Sequence, residues 1–167
     1  MRLFPLLLLL LTPASCGYQM VQPDLGGGRS VSVPTSENRS RWYGIEADLT
    51  RELRADLQRQ LDVRLASDDA DLTLQTEILD VGRRSRVALR SGGAAIGTSE
   101  LGVAWSLKDA AGNVLGEGVI RRNLEFLTAL EEDAYDAFDE MFVEISQQVA
   151  MEVGAALEAD AKLEAGN

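Results

Sequence analysis

Three stretches of alternating apolar and polar residues, separated only by short turn sequences, limit this chain more than any other feature. The first is DLTLQTEILDVGRRSRVALR, residues 71–90. Leu72, Leu74, Thr76 and Ile78 fall on one side of an extended chain, with Thr73, Gln75 and Glu77 on the other. That is the period-two pattern of a half-buried strand. Farther on, Val87 and Leu89 carry the apolar phase, with Arg84, Arg86 and Arg90 opposite. The apolar positions have switched from even to odd numbers. A strand keeps one face in the core across such a switch only by inserting an extra residue, so a bulge or break is expected near Val81-Gly82. Ser91-Gly92-Gly93 turns the chain into a second strand, with Leu101, Val103, Trp105 and Leu107 on one face and Gly102, Ala104 and Ser106 on the other. Asp109 to Asn113 forms the next turn, and a third strand runs from Val114 to about Phe126. Strands joined this closely form an antiparallel meander.

A meander with one apolar face needs a second layer, and helical periodicity on either side supplies it. Ile45, Leu49, Leu53, Leu57 and Leu61 recur every fourth residue, while Glu46, Asp48, Arg51, Glu52, Arg54, Asp56, Gln58 and Arg59 fill the remaining faces. This predicts an amphipathic helix over 43–61. Phe138, Met141, Phe142, Ile145, Val149 and Val153 repeat at helical spacing near the end of the chain, behind Glu131, Glu132 and Asp133, acids that favour a helix N-terminus. Ahead of the first helix, RSVSVP (29–34) alternates and closes at Pro34, and residues 35–41 read as a polar loop. Residues 63–66 add a short extended segment. The expected fold class is α+β, a two-layer sandwich of a four-stranded, mostly antiparallel sheet with two helices on one face, in the order β-α-β-β-β-α. The domain is expected over 29–155, with residues 156–167 as a fraying, Ala/Glu-rich tail.

The start of the chain does not belong to that domain. Met1 and Arg2, then an apolar stretch ending in Leu6 to Leu11, then Thr12 to Ser15, have the layout of a secretory signal peptide over 1–15. The apolar part is far shorter than the roughly 20 residues that span a bilayer. Cys16 follows at once, and it is the only cysteine. Its setting resembles a bacterial lipobox, with Pro13 where leucine is usual. A lone thiol is a liability in an oxidising compartment, and acylation removes it. Residues 16–28 then read as a lipidated N-terminus and linker, broken by Pro23 and Gly26-Gly27-Gly28. Gly17 in place of aspartate after the cysteine fits delivery to the outer membrane, where the protein would hang on the periplasmic face through its acylated cysteine.

Composition narrows the chemistry. The chain has 16 Lys and Arg, 27 Asp and Glu, and a net charge of −11. Such a field argues against nucleic acid as a partner. There is no histidine. With the one cysteine committed to lipid, His/Cys metal sites and Ser-His or Cys-His nucleophiles are ruled out. No cofactor or metal is expected. A hydrolase built on two carboxylates needs only acids. Glu77, Glu100 and Glu117 are strand-borne, but nothing in the sequence makes them converge, so no enzyme is expected.

Several segments, in order, resemble the LptE family of lipopolysaccharide-assembly lipoproteins. Cys16-Gly17-Tyr18 is similar to its CGY start. Val31-Ser32-Val33-Pro34 followed by Glu37-Asn38-Arg39 is similar to its first strand and loop, and Ile45 to Leu53 to the helix after it. Ala70-Asp71-Leu72-Thr73-Leu74 resembles the entry to its second strand. Lys108-Asp109 with Gly112-Asn113-Val114-Leu115 resembles a hairpin of the family. The resemblance implies a non-catalytic role. Members sit as a plug inside the large outer-membrane β-barrel LptD, assist its assembly and bind lipopolysaccharide.

Lipopolysaccharide carries phosphates, and guanidinium groups meet phosphate oxygens two at a time. On an acidic chain the strand arginines stand out. Arg83, Arg84, Arg86 and Arg90 lie around the first hairpin, and Arg121 and Arg122 on the last strand. These six are candidates for lipopolysaccharide or partner contact, as one basic island if their strands are neighbours. Cations that blunt an exposed sheet edge are the other reading of the same residues. A second functional class also stays open: an outer-membrane lipoprotein that docks onto and activates a periplasmic cell-wall synthase.

Overall fold

The computed structural model describes residues 25–87, 96–127 and 134–165. The elements in order are β1 (Arg29–Ser32), β2 (Glu37–Asn38), α1 (Ile45–Gln60), β3 (Val63–Leu65), β4 (Leu72–Val87), β5 (Ile96–Asp109), β6 (Val114–Leu127) and α2 (Ala134–Ala165). The two-layer α+β class is the expected one, but the sheet has six strands rather than four. Its path is β3-β1-β4-β5-β6, with β2 alongside β4. The two additional strands are two and three residues long. Runs this brief carry too few alternations to announce themselves in a sequence. β3 is the short segment expected at 63–66, now hydrogen-bonded to β1, and β2 lies inside the expected loop.

The meander holds. β4, β5 and β6 pair antiparallel along nearly their whole lengths. β1 pairs parallel with both β3 and β4, because α1 returns the chain to the end of the sheet where it began. The change of parity on β4 has a structural cause at Leu79. Ile78 pairs with Val103 and Asp80 with Gly102, so Leu79 is the extra residue of a bulge, slightly earlier than Val81-Gly82. A second register shift between Ser85 and Val87 reverses the phase again and sets Val87 opposite Ile96, on the other face from Leu101 and Val103, so the core phase expected at Val87 does not persist.

One face of the sheet and both helices enclose a single core. The stripe Ile45, Leu49, Leu53, Leu57 and Leu61 is buried in full, as are Phe138, Met141, Phe142, Ile145, Val149 and Val153 of α2. They meet Leu72, Leu74, Ile78, Leu101, Val103, Leu107 and Ile120 from the strands. Each such side chain contributes about 1.5–3 kcal/mol by leaving water. Asp56 departs from the pattern: periodicity puts it on a polar face, yet it is fully buried at the α1–α2 contact. Its carboxylate accepts hydrogen bonds from Ser146 Oγ and Arg59 Nη1. α1 packs on α2 as well as the sheet, so its buried sector is wider than one stripe. α2 is helical to Ala165, through the stretch read from sequence as a fraying tail. Leu157 is buried there, and Asp160 pairs with Arg29 at 3.0 Å.

Candidate functional site

The loop and helix start that suggested the family are held by one side chain. Asn38 Nδ2 donates to Trp42 O (2.6 Å) and Glu46 Oε2 (2.8 Å), and Asn38 Oδ1 accepts from Ser40 N (2.8 Å). Hydrogen bonds from its own backbone N–H and from Asn38 hold the Glu46 carboxyl below the usual range. Beside it, Ser36, Thr50 and Thr76 form a buried hydroxyl chain joining the loop to α1 and β4. The Glu37-Asn38-Arg39 segment is therefore a clasp. It adds β2 to β4 through the Glu37–Glu77 and Asn38–Ile78 pairs, and Arg39 N donates to Ile78 O at 3.0 Å. An ion pair between Arg39 and Glu77 closes it on the outer side.

Beyond that clasp, β4 pairs only with β5 among the described residues. The far end of the molecule is thus a ribbon of β4, β5 and β6. Five of the six candidate arginines lie along it. Arg83 pairs in register with Ser99, and Ser99 with Leu124; Arg84 pairs with Thr98, and Thr98 with Glu125. Arg86 sits at the second register shift. Cys16 and Arg90 lie outside the described residues.

Arg121 and Arg122 are neighbours on β6 and so point to opposite faces of the sheet. Arg121 lies on the helix-free face and pairs with Asp80 at 3.2 Å across Gly102. A Cβ at Gly102 would stand 2.5 Å from Asp80 Oδ1 and 3.1 Å from Arg121 Nη1, so only glycine leaves room for that bridge. Arg122 lies on the helix side, with Glu144 Oε2 at 3.3 Å from its Nε and a hydrogen bond to Gln148 Oε1. Gln148 Nε2 in turn donates to Glu152 Oε1 (2.9 Å), and Trp105 Nε1 donates to Glu152 Oε2 (2.8 Å). The two residues belong to two separate polar clusters, each with its own acid.

Of the strand acids, Glu77 and Glu117 line one open groove of about 520 Å³ on the helix-free face, with Glu37, Gln75, Ala104 and Val119. Glu100 lies farther along the sheet, against Gly82. The polar clusters involving Asn38, Asp56 and Glu152 were beyond reach from the sequence. Each joins residues from separate elements, and no local spacing marks them.

The architecture defines a class first: a small α+β sandwich with its sheet half covered. Solved structures share it. One is a neuraminyllactose-binding hemagglutinin homologue from Helicobacter pylori, at 12% identity, covering 87% of this chain and 94% of that one with a TM-score of 0.55. Another is the lipoprotein GNA1162 from Neisseria meningitidis, at 12% identity, covering 73% and 98% with a TM-score of 0.50. At that identity the likeness is one of fold alone. No curated protein matches the sequence.

The sequence profile of the LptE family, described as lipopolysaccharide-assembly, matches residues 28–153, and the chain belongs to that family. The family consists of accessory lipoproteins of the bacterial envelope rather than enzymes.

Proposed function

We propose that the protein is an outer-membrane lipoprotein that plugs and helps assemble an LptD-type β-barrel and binds lipopolysaccharide in transit. The family match over residues 28–153 carries this reading. In it, the leader 1–15 is removed and Cys16 is acylated, holding residues 25–165 at the periplasmic face. A barrel wide enough to pass a lipid has a lumen that its own side chains cannot fill. A rigid body with one sheet face free of helices suits that space.

For the lipid, the arginines separate into two groups. Arg121 and Arg122 already have acidic partners, Asp80 and Glu144, which a phosphate would have to displace. Arg83, Arg84 and Arg86 lie toward the far end of β4, and together with Arg90 they are the proposed lipopolysaccharide contacts.

Affinity purification from detergent-extracted outer membranes tests the reading. The expected result is recovery of a large β-barrel; recovery of a cell-wall synthase instead overturns it. The lipid assignment is tested by Arg84→Ala/Arg86→Ala/Arg90→Ala, with lipopolysaccharide binding measured at low salt. Three lost charge-assisted contacts should weaken binding by about tenfold or more. Unchanged affinity discards these residues as contacts.

A further inference from the structure

β6 is fourteen residues long and forms one end of the sheet. Among the described residues it pairs with β5 and nothing else. An edge of that length displays a row of unpaired main-chain donors and acceptors, and folded proteins ordinarily blunt such edges with free cations, bulges or cover. Its two arginines do not serve that end, because Asp80 and Glu144 hold them over the two faces. One edge acceptor, Arg121 O, takes a hydrogen bond from Arg122 Nη1 at 3.0 Å. Leu115 is the extra residue of a bulge, because Gly116 pairs with Leu107 and Val114 with Lys108, so the regular open run is Gly116 to Ile120.

Two features flank that run. On the helix side a groove of about 660 Å³ lies between α2 and Arg122, just past the end of that run, lined by Glu144, Gln147, Gln148, Met151, Glu152 and Ala155 of the helix. Met151 is 55% exposed in it. α2 approaches β6 closely here: a Cβ at Gly116 would stand 2.8 Å from Ala156 Cβ, and one at Gly118 would stand 3.1 Å from Glu152 Oε2. On the helix-free side stand Glu117 and Val119, both exposed, and Glu117 has no ion-pair partner among the described residues. An unpaired strand beside a helix, with a groove between them, is the geometry in which a peptide adds as one more strand. Its side chains then alternate between the two sides. Those entering the groove meet Met151 and Ala155. Those on the other side meet Glu117.

We infer that the Gly116–Ile120 edge of β6 accepts an extended segment of a partner polypeptide that alternates apolar residues with lysine or arginine. Main-chain hydrogen bonds supply the affinity. The apolar residues cover Met151, and the cations answer Glu117 on a chain of net charge −11. This does not rest on the barrel assignment and survives its failure.

The test uses the full mature chain in detergent and dye-labelled octapeptides read by fluorescence anisotropy. An alternating lysine–valine peptide should bind about tenfold tighter than a glutamate–valine peptide. Methylating its amides at alternate residues removes one hydrogen-bonding edge and keeps every side chain, and should weaken binding about tenfold. Glu117→Gln and Met151→Gln, both at exposed positions, should each weaken it by roughly threefold to tenfold. Leu163→Gln, on an exposed turn of α2 beyond the groove, should leave it unchanged. Amide exchange should slow along β6 when peptide binds. Absence of saturable binding, equal binding of the glutamate peptide, or indifference to N-methylation overturns the inference. So does sedimentation showing that a second copy of the chain already occupies β6.

Discussion

Replacing Ser146 with alanine should destabilise the protein more than replacing its partner Asp56, although the aspartate is the charged residue. The Asp56 side chain is 1% exposed, and its carboxylate relies on Ser146 Oγ and Arg59. Ser146→Ala leaves that carboxylate buried with Arg59 alone, and an under-satisfied buried acceptor costs roughly 2–3 kcal/mol. Asp56→Ala orphans nothing. Ser146 can donate to Val143 O, 3.0 Å away, and Arg59 is 58% exposed and reaches water. The remaining loss is a small packing defect, about 1 kcal/mol. Once Asp56 is gone, Ser146→Ala should cost only a few tenths of a kcal/mol, so the two substitutions should couple by about 2 kcal/mol. Urea unfolding of the mature chain and the three variants, followed by far-ultraviolet circular dichroism, measures this directly. Thermal midpoints should move about 2–4 °C per kcal/mol in a domain of this size. Additive losses, or a smaller loss from Ser146→Ala than from Asp56→Ala, refute the argument from burial.

Gly118→Ala places a methyl group 2.8 Å from Trp105 Nε1 and 3.1 Å from Glu152 Oε2. It should break the indole–carboxylate bond and cost about 1–3 kcal/mol, seen as a changed tryptophan spectrum and a lower urea midpoint; an unchanged spectrum would show that the ring has room. Acid stability should depend on Ser30. Its hydroxyl and backbone N–H hold the Asp71 carboxyl below its ordinary range. A depressed value means that the stabilisation is complete above the unfolded-state pKa and is lost as pH falls through the folded-state one. Ser30→Ala should raise the Asp71 titration toward the ordinary range in an NMR experiment and flatten the acid limb of stability. A titration that does not move removes Ser30 as the cause.

The meander, both helical stripes and the need for a bulge were legible because each rests on a repeating period over many residues. The bulge itself stands at Leu79 rather than at Val81-Gly82, because parity shows that a residue is extra without marking which one. β2 was hidden inside a polar loop. Its two pairs with β4 are secured by Asn38, a contact between distant elements that no local spacing encodes. Asp56 was misplaced for a related reason: a single stripe assumes one packing partner, and α1 has two. Arg121 and Arg122 show the limit of reading charge clusters along a strand. Adjacent in sequence, they are divided by the pleat and serve different faces.

The contact between Arg29 and Asp160 brings the beginning of the first strand and the final turns of α2 to the same pole. The turn between β5 and β6 belongs to that pole as well, since Leu72 pairs with Asp109. The start of the described chain and the last turns of α2 therefore share one end of the sheet. Fifteen residues of β4, at about 3.3 Å each, carry the opposite tip some 50 Å away. The molecule has a root and a crown: Arg29 and Asp160 meet at one end, and the arginines near residue 86 lie at the other.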